Sequence, residues 1–245
     1  MLIVPDNARS ADQVRPQEIA LTAAEHQRDP AGKGHIHSDL GRTLAMLGSL
    51  DEAHRHLSQA SSLFQQMADQ GGDATAQIRI GLLSARQGQH AEARAHAEQA
   101  LELYRSTGNR AGEAGALNNV GWYTMRLGQH EQALACCQEA LEIFRELGDR
   151  RGQGIAYSSI AAAYSHLGRY ARSLLHLLAS ADLLEALGDC YQLASTLDIL
   201  GDAHYATRNN HAARHAWQQA LDIPRPHRRA LGRPGPGEAP PHPVT

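Results

Sequence analysis

One hairpin-sized unit, written five times over, decides what this chain can fold into. Its clearest copy is LNNVGWYTMRLGQHEQALACCQEALEIFRELG, Leu117 to Gly148. Apolar residues recur three and four apart at Leu117, Val120 and Met125, and again at Leu134, Cys137, Leu141 and Phe144. That is the period of amphipathic helices. Leu127-Gly128-Gln129-His130 separates the blocks, and Gly128 can end a helix in the left-handed conformation without a Cβ clash. So short a link predicts an antiparallel helical hairpin, which alone cannot cover its apolar faces.

The rest of the chain supplies the cover. Gly121, Gly128, Ala133 and Ala140 have equivalents 40 residues before at Gly81, Gly88, Ala93 and Ala100, and again at Gly41, Gly48, Ala53 and Ala60. The next copies carry Ala161, Gly168, Ser173 and Ser180, then Gly201, Arg208, Ala213 and Ala220. Apart from Arg208 every one is small, as close helix approach requires. A fixed period of this length means an all-α solenoid of stacked hairpins.

Five full repeats are expected over 34–223, opening at 34, 74, 114, 154 and 194. Before them, 17–33 reads as the second helix of a half-repeat, ending in the turn Asp29-Pro30-Ala31-Gly32. Second helices exit through Thr107-Gly108-Asn109, Leu147-Gly148-Asp149 and Leu187-Gly188-Asp189, where glycine suits the C-cap and Asn or Asp the next N-cap. Met67-Ala68-Asp69 takes that place in the first repeat and is expected to be looser. Residues 1–16 do not fit the repeat, and the Pro-, Gly- and Arg-rich 224–245 is expected to be disordered. The fifth repeat then lacks a capping helix, and is expected either to be the least stable part of the array or to be buried by self-association.

Composition narrows function by exclusion. A formal charge of −3 gives no global field to attract nucleic acid. There is no apolar run of about 18 residues to span a bilayer, and Leu2-Ile3-Val4 is too short for a signal-peptide core. Three cysteines, two adjacent at Cys136 and Cys137, make no disulfide framework and favour the cytoplasm. The 15 histidines suggest metal, but His35/His37 and His54/His56 are two apart, about 200° around a helix. His211 and His215 share a face without a Cys, Asp or Glu to complete a ligand set. No nucleophile–base grouping or carboxylate pair stands out, so no enzyme, no metal and no cofactor are expected.

VGWYTMRLGQHEQALACCQEAL resembles a tetratricopeptide repeat: the family's small residue falls on Gly121, its turn glycine on Gly128, and its two alanines on Ala133 and Ala140. The resemblance covers 17–223 and implies a right-handed superhelix whose first helices line a concave groove for a protein or peptide. It places in that groove Arg42 and Met46, then Ile78, Leu82 and Arg86, then Asn118, Trp122, Met125 and Arg126. The last two repeats contribute Ser158, Ser165, His166, Asp198, Asp202 and Tyr205. Asn118 is expected to hydrogen-bond an extended backbone, and the Arg126 guanidinium to sit over the Trp122 indole. The alternative for Trp122 is packing between helices. The groove so mapped is basic in its first three repeats and acidic in its last.

A narrower resemblance links ALNNVGWY, LGDRRGQG and LGDAHYATRNNHAARHAWQQALDI to the C-terminal sensor repeats of actinobacterial transcriptional regulators of the SARP type. These join a winged-helix DNA-binding domain and an NB-ARC nucleotide switch to tetratricopeptide repeats. LIVPDNARSADQVRP is similar to the switch's Walker B strand, making 1–16 a remnant of it. Yet Lys33 is the single lysine among 23 basic residues, with Gln27 and Gly34 where a P-loop needs glycine and a hydroxyl. The resemblance therefore implies a truncated regulator: a binding module that contacts no nucleic acid itself. The alternatives are a regulator whose other domains lie on a separate chain, and a gene remnant without function.

Overall fold

The computed structural model describes residues 29–223, with Ile19 alone before them. The Walker-B-like segment, most of the half-repeat helix and the C-terminal tail lie outside the described residues. Ten helices follow one another: α1 Pro30–Leu47, α2 Leu50–Gln66, α3 Gln70–Arg86, α4 His90–Ser106 and α5 Arg110–Arg126, then α6 His130–Glu146, α7 Arg150–His166, α8 Tyr170–Ala186, α9 Cys190–Ala206 and α10 Asn210–Asp222.

From α2 onward every helix begins 20 residues after the one before it, and α2 to α9 each have 17 residues. The turns impose this phase. After α5, Gly128 takes φ 82°; its N–H bonds Met125 O at 2.9 Å and the Gln129 N–H bonds Thr124 O at 3.1 Å. That pair of bonds is the Schellman ending, which satisfies carbonyls the helix leaves open. A left-handed residue recurs at every turn from 48 to 208, glycine at all but Ala68 (φ 56°) and Arg208 (φ 62°). The exit of the first repeat is thus no looser than the others: Ala68 accepts the strained conformation, and Asp69 Oδ1 accepts from Gly72 N at 2.9 Å.

Each first helix has such a cap, from Asp29, Asp69, Asn109, Asp149 and Asp189. The second helices α2, α4, α6 and α8 have none. Pro30 to Lys33, which the sequence reads as the end of a turn, are instead the opening of α1. Asp29 is its N-cap and Pro30 its first residue, where a missing N–H costs nothing. The same residue types make turns, hence the misreading. The hairpins accordingly start at 30, 70, 110, 150 and 190, four residues ahead of the repeat numbering taken from the sequence.

The small residues sit where helices meet. A Cβ added to Gly121 would lie 2.5 Å from Cys137 Sγ, 3.0 Å from Ala133 O and 3.2 Å from Cys136 Cβ. Gly41 and Gly81 face the carbonyls of Ala53 and Ala93 in the same way. Ala53, Ala60, Ala93, Ala100, Ala140, Ala213 and Ala220 are fully buried. A second close approach seats the ring of Phe64, Tyr104 or Phe144 against Gly72, Gly112 or Gly152, three residues into the following capped helix.

Polar contacts join successive repeats. Buried Glu113 accepts from Arg105 Nε at 2.9 Å and from Arg110 at 2.7 Å. The same arginines reach Glu139 at 2.9 Å and Glu146 at 2.8 Å, linking α4, α5 and α6. Its hydrogen bond from Arg105, then the one from Arg110, hold the Glu113 carboxyl below its ordinary pKa against the opposing effect of burial. Nearer the start, buried Asp73 accepts from Ser61 at 2.6 Å and from Gln77 at 3.2 Å.

The last described helix is short. α10 has 13 residues and ends at extended Ile223, as expected of a residue before proline. Ala213, Ala216 and Ala220 are buried, Trp217 is half-buried with Nε1 donating to Asp202 Oδ1 at 3.2 Å, and Leu221 is exposed.

Candidate functional site

Curvature follows from which helices meet. Three of the four neighbouring pairs of first helices touch, α1 with α3, α5 with α7 and α7 with α9, and among the described residues no pair of second helices does so to the same degree. The first helices therefore form the inner wall of a groove.

Their open face recurs with the repeat. One row is Arg42, Leu82, Trp122, Ala162 and Asp202, of which Ala162 is buried and Trp122 half-buried. The next row is Met46, Arg86, Arg126, His166 and Ala206, all exposed. Ile78, Ser158, Ser165 and Asp198 are half-buried, and Tyr205 is exposed. So Arg42, Arg86, Trp122, Arg126, Ser158, His166, Asp198, Asp202 and Tyr205 all keep some surface on the first helices.

Asn118 and Met125 differ. Both are buried, and the Asn118 Oδ1 has no hydrogen-bond partner among the described residues. One position further round α5, Asn119 is the residue left half-open. The expected stack of Arg126 on Trp122 is not formed. Arg126 Nε turns to His90 Nε2, 3.4 Å away on α4, while Trp122 packs against the core clusters on both sides of it. The cation–π pairs among the described residues are Arg145 over Tyr157 and Arg172 over Tyr164.

Several groove cations are already engaged. Arg42 lies 3.8 Å from Asp39. Arg79, not among the residues the repeat resemblance places in the groove, donates to Ser38 at 2.6 Å and lies 3.4 Å from Asp39. Arg86 donates to Ala45 O at 2.6 Å. At the fifth repeat Asp202 accepts from Trp217, with Tyr205 ring-to-ring at 5.9 Å from that indole.

Histidines gather where sequence spacing alone does not bring them. His37 and His56 meet across the first hairpin, Nδ1 to Nδ1 at 2.8 Å. His130 stacks on His166, with centroids 4.8 Å apart and planes 9° apart. The signal for His90 and His130 was available, since Gly-Gln-His opens both second helices at 88–90 and 128–130. Burial, then the Arg126 charge, lowers the His90 pKa; burial, then His130 and Arg126, lowers that of His166. No group of three or more metal-ligand side chains occurs among the described residues. Burial pushes the Cys137 thiol up to about 12, and Cys136 is also raised, first by burial. Neither is poised as a nucleophile at neutral pH. No helix of the described residues is long and apolar enough to cross a membrane.

Family profiles described as tetratricopeptide repeat match residues 72–146 and 116–186, 193–243, and 34–59. No curated protein sequence matches the chain. Among solved structures, BtubC (BKLC) from P. vanneervenii is similar at 20% identity and a TM-score of 0.71, covering 99% of each chain. A Rap protein complexed with Competence and Sporulation Factor is similar at 16% identity and a TM-score of 0.71, over 78% of this chain and 54% of that one. A Signal Transduction ATPase with Numerous Domains from Pyrococcus horikoshii, with a tetratricopeptide repeat sensor, is similar at 21% identity and a TM-score of 0.65, over 80% of this chain and 30% of that one. At these identities the likeness concerns the fold.

Proposed function

Because the chain belongs to the tetratricopeptide repeat family, we propose that it is a non-catalytic module binding a protein or extended peptide in the groove of its first helices. The carrying observation is the split between two sets of positions. Interior positions hold buried alanine and glycine in copy after copy, while the groove rows change from Arg42 to Leu82, Trp122 and Asp202, and from Met46 to Arg86, Arg126 and His166. A scaffold kept constant beneath a variable inner surface is the layout of a recognition site. Half-open Trp122 and exposed Arg126 are of the residue types that dominate interface energetics.

We further propose that the partner belongs to signal-dependent transcription control in the cytoplasm, with this chain as the sensor portion. The narrower sequence resemblance supports this, as does the fold shared with the repeat sensor of a signal transduction ATPase. Affinity capture from the native cytoplasm with wild type and Trp122→Ala tests the groove. The variant is expected to stay helical by circular dichroism and to lose roughly 1–3 kcal/mol of partner affinity. A captured partner indifferent to Trp122→Ala and Arg86→Ala would place recognition on another surface.

A further inference from the structure

We propose that Arg126, His90, His130 and His166 form an anion subsite at the rim of the groove that receives a carboxylate of the bound protein or peptide. This rests on the groove reading above and adds the chemistry of one end of the ligand. The four side chains come from four different elements: the start of α4, the end of α5, the start of α6 and the end of α7. The repeat geometry brings them together in two pairs, since a residue ending one first helix lies beside a residue opening the preceding second helix: His90 by Arg126, and His130 by His166. The pairs adjoin, Arg126 standing near enough to His166 to bear on its charge.

Among the described residues, no carboxylate lies within ion-pair distance of any of the four. The nearby acid is committed elsewhere: Glu131, next to His130, is held by Arg169 at 2.7 Å. Arg94, on the same helix as His90, is occupied by Gln129 at 3.0 Å and Glu98 at 3.4 Å.

Arg126 is badly served in return. Its Nε–H goes to a neutral ring nitrogen at 3.4 Å, a long contact for a guanidinium. Because His90 Nε2 accepts that bond, the ring proton sits on Nδ1, which is buried and has no acceptor. His130 Nδ1 is buried without a partner as well. A carboxylate would give Arg126 a two-oxygen acceptor, release the His90 ring to reorient, and offer the stacked imidazoles an anion.

Charge selects the ligand class. Arg126 is the one permanent cation of the group. The rings of His90 and His166 are held toward the neutral form by burial first, and then by Arg126 and, for His166, by His130. A single fixed charge beside two rings held toward the neutral form matches a singly charged carboxylate better than a doubly charged phosphate.

The test is a titration of the full chain with sodium acetate against sodium chloride at matched ionic strength, read by the histidine ring signals in NMR. Assignments come from single His→Gln variants. The rings of His90, His130 and His166 are expected to shift saturably with acetate at millimolar concentration, and Arg126→Gln is expected to abolish saturation while helicity is unchanged. Equal shifts with chloride, or an Arg126→Gln chain that titrates like wild type, would overturn the proposal. Saturation by inorganic phosphate but not by acetate would overturn it too. A partner captured through Trp122 together with a silent acetate titration removes the carboxylate and leaves the groove standing. Saturable acetate binding with a partner indifferent to Trp122 does the reverse.

Discussion

The imidazoles of His130 and His166 lie face to face, 9° from parallel and 4.8 Å apart, bridging two repeats. Protonating both rings would set two cations in contact, with Arg126 near enough to weigh on His166. The folded pKa of His166, like those of His90 and His96, is lowered from 6.5, so the unfolded chain takes up more protons as the solution is acidified. Stability is therefore fully present above about pH 6.5 and is lost as pH falls through that value toward the folded ones. The melting temperature is expected to drop between about pH 7.5 and pH 5.5. Glu113, whose folded pKa is lowered from 4.5, adds its loss below that window. His166→Gln is expected to flatten the upper slope; a wild-type melting temperature constant across it would contradict the assignment.

Gly121 has no room for a side chain, because Cys137 Sγ and the Ala133 carbonyl already occupy the space of its missing Cβ. Gly121→Leu is expected to destabilise by roughly 1–3 kcal/mol. Gln129→Ser, at an exposed turn position whose side chain accepts from Arg94, is expected to change little. Equal denaturant midpoints for the two variants would refute the packing described.

Arg208 holds a left-handed φ of 62° where seven other turns use glycine. The conformation brings Cβ close to the following carbonyl. Arg208→Gly is expected to stabilise by about 0.5–1.5 kcal/mol, with Ala68→Gly behaving alike, once the greater unfolded-state freedom of glycine is subtracted. Chemical denaturation decides it, and lowered midpoints in both variants would mean that neither turn is strained.

α10 closes the described array with one neighbouring helix rather than two, and Leu221 stays in contact with solvent. Hydrogen exchange in dilute solution is expected to open 195–223 well before 115–153, with protection growing as concentration rises. Uniform protection at every concentration would show that this end is adequately covered.

Much of this was legible in the sequence because small side chains have few alternatives at a helix crossing. Gly81, Gly121 and their alanine partners announce the hairpins directly, and the glycine turns announce the left-handed residues. Asp29-Pro30 did not announce itself, because a capping acid and an N1 proline use the same residues as a turn. The ring-on-glycine seats at Phe64–Gly72, Tyr104–Gly112 and Phe144–Gly152 recur at constant spacing, but aromatic and glycine lie on different helices, so helical periodicity does not pair them. Asn118 and Arg126 show a different limit. One step around a helix, about 100°, separates a buried amide from an open one, and a long guanidinium chooses among neighbours that only the stacking of repeats supplies.

The constant phase of the helices has a consequence for how such a chain can change. A cap and a left-handed turn stand at the same place in every copy, so the stretch 110–149 begins just after an asparagine cap, Asn109, and ends on an aspartate cap, Asp149. Its excision would deliver Arg150 to a cap of the same kind and leave every remaining junction in register. Loss of a single residue inside a helix, by contrast, would turn the rest of that helix by about 100° and present its polar side to its neighbour. Whole units are exchangeable and single residues are not. Unequal recombination between copies can therefore lengthen or shorten the surface without designing a new joint.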